Sequence, residues 1–263
     1  MPETTAPHSF IRGHPPYRAL VHPRPAVITW SLLRLATAVA IVAAVGVQLA
    51  VSVTRTAESG GDVATVVANY FSFFTILSNL IAAAVLAWAG VATLTDPEGT
   101  RGSLRLSAAL ACATTYMAIT GIVYNTLLRS ITLPQGSEPV PWSNEVMHTV
   151  APIVLLLDLL LGTRRRALPW RTVGVILSFP LLWIVYTLIR GPLVTNAVTG
   201  EPFWYPYPFL NANLPGGWAM VIAYIVGIAV AFIGVGAFCV WTTRRRARDA
   251  READAVVATS VQQ

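Results

Sequence analysis

The stretch LATAVAIVAAVGVQLAVSVT, residues 35–54, lies between Arg34 and Arg55 and contains no charged residue. As a helix it would be about 30 Å long, which matches the thickness of the hydrocarbon core of a bilayer. Further uncharged stretches follow at 63–95, 106–128, 172–189 and 202–243. This repetition predicts a chain that crosses a membrane several times.

The composition indicates the same class of protein. Hydrophobic residues make up 55% of the 263 residues, and charged residues only 11%, whereas about a quarter of the residues of a soluble domain are charged. So few charges cannot cover a water-facing surface, and much of the surface must therefore face lipid. The net charge of +6 does not indicate a nucleic-acid partner, because the arginines flank apolar stretches.

One more span is needed between residues 142 and 162, although this segment carries Glu145 and Asp158. We predict an all-α integral membrane protein with six transmembrane helices at about 27–53, 68–94, 105–129, 142–162, 171–190 and 216–241. Residues 1–26 contain six prolines and are predicted to form a disordered tail. The transmembrane domain then covers 27–241, and an arginine-rich tail covers 242–263.

The arginines predict the orientation of the chain. Fifteen of the eighteen lie on the side of the termini, and only Arg55, Arg129 and Arg190 lie on the other side. The positive-inside rule places both termini in the cytoplasm. Asp158 is then near the inner end of its helix, where we expect it to pair with the cluster Arg164–Arg166.

Polar residues concentrate near the outer ends of two helices. The second helix carries Asn69, Ser72, Thr75 and Asn79, and the fourth carries Asn144, Glu145, His148 and Thr149. The spacing of the first set predicts one helical face. Counted from the membrane surface, Thr75 and His148 both lie roughly 10 Å deep. We therefore expect the two side chains at the same level.

The third and fifth helices end with polar groups on the same outer side. These are Thr120, Tyr124 and Asn125 in the third helix, and Trp183, Tyr186, Thr187 and Arg190 in the fifth. The inner halves of the same helices are mostly aliphatic. This distribution predicts a polar pocket open to the outer leaflet, and it argues against a polar path through the membrane.

Such a set of groups suits ester hydrolysis. A threonine hydroxyl becomes a nucleophile when a base removes its proton, and a neutral histidine is the usual base near neutral pH. Thr75 and His148 are the candidates for these two roles. Glu145 or Asn144 could orient the imidazole, and Asn79, Tyr124 or Arg190 could stabilise an oxyanion.

The same residues also have structural interpretations. Serine and threonine in membrane helices commonly bond to neighbouring helices, and a histidine beside a glutamate could serve packing alone. Arg190 at a helix end could extend to the interface, and Trp183, Trp204, Tyr205 and Tyr207 could anchor the protein there. The alternative function is a non-catalytic membrane protein that binds or transports a lipid or small molecule.

Three segments resemble the androgen-induced-gene type of six-pass membrane proteins, which has vertebrate members and a bacterial branch. They are YFSFFTILSN at 70–79, NEVMHTVAP at 144–152 and WYPYPFL at 204–210. Their order, their spacing and the six-helix layout fit from about residue 27 to 241. The resemblance implies an intramembrane threonine hydrolase.

The vertebrate members hydrolyse fatty acid esters of hydroxy fatty acids with one threonine and one histidine, and these roles correspond to Thr75 and His148. The bacterial branch implies the plasma membrane and a lipid ester as substrate. No phosphate loop, dinucleotide fingerprint or metal-ligand motif occurs in the sequence, so we expect no cofactor and no metal. The sequence does not identify a protein partner.

The segment 203–209 joins the fifth and sixth helices on the outer side. Four prolines occur between residues 202 and 215, so we expect the segment to be stiff. It could form a roof over the predicted pocket.

Overall fold

The computed structural model describes residues 24–96, 102–131, 139–162 and 165–260, so most of the predicted tail 1–26 lies outside the described residues. The helices are α1 Arg24–Glu58, α2 Val63–Tyr70, α3 Phe74–Thr95, α4 Leu104–Leu128, α5 Pro141–Leu161, α6 Thr172–Arg190 and α7 Gly217–Ser260. All except α2 are long and apolar enough to cross a membrane. The prediction of an all-α protein with six spanning helices is confirmed.

The last helix is longer than predicted. We expected it to end near residue 241, but α7 continues to Ser260, so most of the arginine-rich tail is helical. Near the end of its apolar part, Arg246 donates a hydrogen bond to the main-chain carbonyl of Leu159 at 3.1 Å. This contact joins α7 to α5 at the end of the bundle where α1 begins, here called the termini end.

The second predicted helix is broken at residues 71–73, where Phe73 has an extended backbone with φ −70° and ψ 130°. Asn69 precedes the break, Ser72 lies within it and Thr75 follows it. The prediction that these residues share one face of a continuous helix is therefore wrong, and the count that gave the depth of Thr75 assumed such a helix. Sequence spacing could not show this, because the partners that satisfy the backbone at the break come from distant parts of the chain.

Helix α4 is the centre of the bundle. In the most apolar stretch of α4, 72% of the residues are buried. The corresponding fraction in the other five spanning helices is 17–50%. One apolar core packs between α4 and helices α1, α3 and α5, and a second packs between α4 and helices α6 and α7. Small residues allow this packing: a side chain at Gly121 would come within 3.1 Å of the His148 carbonyl oxygen, so α4 and α5 are in close contact there.

A buried carboxylate holds the termini end together. Asp158 of α5 is 1% exposed and forms ion pairs with Arg34 of α1 at 2.8 Å and with Arg165 at 2.6 Å. Trp30 Nε1 donates a third hydrogen bond to it. The expected pairing with the cluster Arg164–Arg166 is confirmed for Arg165, and Arg164 lies outside the described residues.

Replacing Asp158 with alanine is expected to destabilise the protein by about 3–5 kcal/mol, because two buried guanidinium groups lose their shared counter-ion. Thermal unfolding in detergent micelles would measure the loss. The matched control is Asp249→Ala, since Asp249 is exposed. Equal melting temperatures for the two variants would contradict a structural role for the cluster.

Candidate functional site

A cavity of about 100 Å³ lies between α3, α4, α6, α7 and the segment that follows α6. We call it the Thr75 cavity. Its walls are mostly apolar, with Ile119, Leu177, Leu181, Ile184, Ile225, Ile228 and Phe232 among them. The polar members of the wall are Thr75, Thr120, Tyr124 and Tyr207. A cavity of this composition suits a hydrocarbon chain with one reactive polar group near its end.

Thr75 is the second residue of α3, and its partner is Tyr207. The Tyr207 hydroxyl lies 3.2 Å from Thr75 Oγ1 and accepts the Thr75 main-chain N–H at 3.2 Å. Phe73, which precedes α3, offers no side-chain cap, so Tyr207 satisfies one of the free N–H groups at this helix start.

The direction of the hydroxyl hydrogens follows from the burial of Tyr207, which is 5% exposed. Burial raises the pKa of the Tyr207 phenol, although its hydrogen bonds with Thr75 act in the opposite direction, and the phenol therefore stays protonated. Its single hydrogen needs an acceptor, because a buried hydroxyl without one is costly. Thr75 Oγ1 is that acceptor, which leaves the Thr75 hydroxyl hydrogen free for another partner.

His148 lies in a π-helical turn of α5, Val146–Val150. Its Nδ1 is 2.9 Å from the main-chain carbonyl oxygen of Asn144. Because a carbonyl oxygen only accepts hydrogen bonds, Nδ1 carries the hydrogen of the neutral ring and Nε2 keeps a lone pair. The imidazole therefore has the tautomer that a general base requires at Nε2.

Tyr124 links His148 to the Thr75 cavity. Its ring stacks on the His148 imidazole with the ring centres 3.9 Å apart, and it also forms part of the cavity wall. Asn144 Nδ2 donates a hydrogen bond to the Tyr124 hydroxyl. Among the described residues, the hydrogen of this hydroxyl has no acceptor.

A second π-helical turn, Tyr124–Leu128, faces the turn that carries His148. Asn125 Nδ2 donates to the His148 carbonyl oxygen across the two turns at 3.3 Å. Such turns occur frequently at functional sites. The sequence did not reveal them, because one extra residue in a single turn leaves the apolar pattern of a buried helix almost unchanged.

Glu145 does not contact the imidazole. It is 44% exposed at its side chain, pairs with Arg129 at 2.9 Å and accepts a hydrogen bond from Thr149 at 2.8 Å. The backbone of Asn144 holds the ring instead, and this differs from the side-chain contact that we expected from either residue. A main-chain contact of this kind has no signature in residue type.

Two of the three candidates for an oxyanion donor, Asn79 and Arg190, do not line the Thr75 cavity. Asn79 Nδ2 donates to the carbonyl oxygens of Thr75 at 2.9 Å and Met147 at 3.2 Å, so its donors are already used. Arg190 donates to Asn69 at 2.7 Å and lies over the ring of Trp204. Tyr124 is the candidate whose donor remains free at the cavity.

Asn79 also links the two helices that carry the central residues. Its Nδ2 donates to the main-chain carbonyl oxygens of both Thr75 and Met147, so the backbones beside Thr75 and His148 meet at one nitrogen atom. His148 is not among the residues that line the Thr75 cavity. Within the described part of the chain, no hydrogen bond joins Thr75 to His148. The ring of Tyr124 lies beside His148 and lines the same cavity as Thr75.

The aromatic segment 203–209 packs onto the start of α3. Tyr207 and Phe209 line the Thr75 cavity, and the rings of Trp204 and Tyr207 both pack edge-on against Phe73. Trp204 and Tyr207 are only 4% and 5% exposed. Both side chains therefore belong to the protein interior, and the interpretation of these two residues as interfacial anchors is wrong.

Comparison of the chain with protein-family models, with curated proteins and with solved structures finds no match.

The His148 ring is expected to remain in the Nδ1–H tautomer when Glu145 is replaced by glutamine, because the Asn144 carbonyl holds it. Nitrogen NMR of histidine-labelled protein near pH 8 would show this, and the difference from His148→Gln assigns the signal among the four histidines. A change of tautomer in Glu145→Gln would show that the carboxylate orients the ring.

Replacing Tyr207 with phenylalanine is expected to destabilise the protein by about 1–3 kcal/mol, because the Thr75 main-chain N–H loses its partner. Tyr205→Phe is the matched control, since the described contacts give the Tyr205 hydroxyl no hydrogen bond. Thermal unfolding in micelles would compare the two variants. Equal losses would contradict the capping role of Tyr207.

Proposed function

We propose that this chain is a membrane-embedded hydrolase of a lipid ester, with Thr75 as the nucleophile and His148 as the general base. One observation carries the proposal. The Thr75 side chain lies in the wall of an apolar cavity, and a tyrosine in the same wall stacks on the ring of His148.

The cavity favours a substrate with a long acyl chain. A water molecule needs roughly 10–15 Å³ of cavity volume. The Thr75 cavity, at about 100 Å³, therefore has room for several methylene groups. Leu181 of α6 lines the cavity and is also 58% exposed on the outside of the bundle. An acyl chain could therefore enter from the lipid between α6 and α7, without passing through water.

In the first half of the proposed reaction, Thr75 Oγ attacks the ester carbonyl carbon and its proton moves to His148 Nε2, directly or through one water molecule. Tyr124 donates its hydroxyl hydrogen to the oxyanion that forms. The carbon–oxygen bond to the alcohol breaks, the alcohol takes the proton from His148, and the acyl group stays on Thr75.

In the second half, His148 removes a proton from a water molecule that attacks the acyl carbon. The bond to Thr75 breaks, Thr75 Oγ takes the proton from His148, and the free acid leaves. Tyr207 holds Thr75 Oγ1 in place through both halves by its hydrogen bond. The resemblance of segments 70–79 and 144–152 to the threonine hydrolases supports the same two roles.

The second candidate is a protein that binds a lipid or small molecule without cleaving it. The observation that favours it is that Thr75 Oγ1 has Tyr207 as its hydrogen-bond partner and not His148. The cavity and its occupant would be the same. Transport is less favoured, because aliphatic side chains and the Asp158 ion pairs fill the termini end.

For the membrane, we propose the bacterial plasma membrane with both termini in the cytoplasm. The distribution of the eighteen arginines supports this orientation. The Thr75 cavity then opens in the non-cytoplasmic half of the bilayer, and its products are released on that side.

Thr75→Val and His148→Gln are each expected to lower hydrolysis of a fatty acid ester of a hydroxy fatty acid by at least ~100-fold, because the nucleophile or its base is removed. Turnover by purified protein in micelles would measure this. Thr120→Val is the matched control, since it removes a hydroxyl from the same cavity wall. Turnover by Thr75→Val equal to that of the wild type would contradict the proposal, and substrate binding without turnover in all forms would favour the second candidate.

A further inference from the structure

A second and smaller cavity, of about 30 Å³, lies between α1, α2 and the segment after α6. We call it the Asn196 cavity. Phe73, Asn69, Asn196 and Trp204 belong to its wall. Phe73 also packs against Tyr207 of the Thr75 cavity, with the ring centres 5.6 Å apart. The two cavities are therefore neighbours, but the reaction proposed above makes no use of the smaller one.

The polar groups free for a ligand in this cavity are hydrogen-bond donors. Asn196 Oδ1 accepts the main-chain N–H groups of Val198 at 2.9 Å and Thr199 at 3.3 Å. Asn69 Oδ1 accepts a hydrogen bond from Arg190. Within the described part of the chain, the amide nitrogen of neither asparagine has an acceptor, although Asn69 and Asn196 are only 7% and 6% exposed. Two amide donors without acceptors in the wall of a cavity can bond to a ligand that supplies acceptor atoms.

A positive charge lies beside these donors. Arg190 bonds to Asn69 at 2.7 Å, and its guanidinium carbon lies 5.2 Å from the centre of the Trp204 ring. Its Nη1 is buried and has no partner, and the described residues give Arg190 no ion pair. Glu201 contributes its main-chain carbonyl to Asn196, but its side chain is exposed. Because arginine keeps its proton, this charge attracts an anion.

We propose that the Asn196 cavity binds a carboxylate group, which accepts hydrogen bonds from the two asparagine amides in the field of Arg190. About 30 Å³ is the space of roughly two water molecules, which suits a carboxylate. The group could belong to a small free acid or to the head of a long-chain acid at the membrane surface. The site does not depend on hydrolysis and stands whether or not Thr75 reacts.

The decisive variant is Asn196→Asp. An aspartate keeps the oxygen that accepts the two main-chain N–H groups, so the local turn is preserved, but it replaces the free donor with an acceptor and adds a negative charge. Arg190→Gln removes the positive charge. Asn213→Asp, the same substitution at an exposed asparagine, serves as the matched control.

The test is equilibrium binding of labelled oleate, acetate and oleyl alcohol to the full chain in nanodiscs of zwitterionic lipid. We expect a carboxylate to bind at least tenfold more tightly to the wild type than to Asn196→Asp, and Asn213→Asp to bind it like the wild type. A loss seen with oleate alone would identify an amphiphile, and a loss seen with acetate would identify a free acid. Unchanged carboxylate binding by Asn196→Asp, or a loss of oleyl alcohol binding as large as that of oleate, would overturn the proposal.

Discussion

The hydroxyl group of Tyr207 is the contact on which the site depends. It satisfies the main chain where the second predicted span is broken, it fixes the Thr75 side chain, and it holds the aromatic segment over the cavity. In hydrocarbon, a helix can be interrupted only where protein groups replace the lost backbone hydrogen bonds. Trp183 does the same for the Ser72 carbonyl at 3.0 Å. The break therefore exists because α6 and the segment after it supply the partners.

The two ends of the bundle differ in their construction. At the termini end, charged groups pair with one another around Asp158 and join α1 to the segment after α5. At the opposite end, hydroxyl groups, amides and aromatic rings surround two cavities. Ion pairs with little space between them favour a fixed arrangement, and cavities leave room for a ligand. The division between a rigid end and a binding end thus follows from which polar groups each end buries.

The six spans were predictable, because an apolar run of about twenty residues determines a membrane helix almost by itself. Thr75, Tyr124 and His148 could also be selected from the sequence, since polar residues in such helices are few. Their arrangement was not predictable. The break at Phe73 depends on partners from distant parts of the chain, and the π turns and the contact of the Asn144 carbonyl with His148 are local main-chain geometry. No spacing of residue types in one helix encodes them.

Helix α7 passes beside the Thr75 cavity and then continues as a helix to Ser260. Residues 247–260 extend α7 by roughly 21 Å beyond Arg246, where α7 is joined to α5. A change in the tilt of α7 would displace the end of this extension most, because it is the part farthest from the packed bundle. A ligand that displaces Ile225 or Phe232 in the wall of the Thr75 cavity would thus move the last turns of α7. A spectroscopic label on those turns could record this movement.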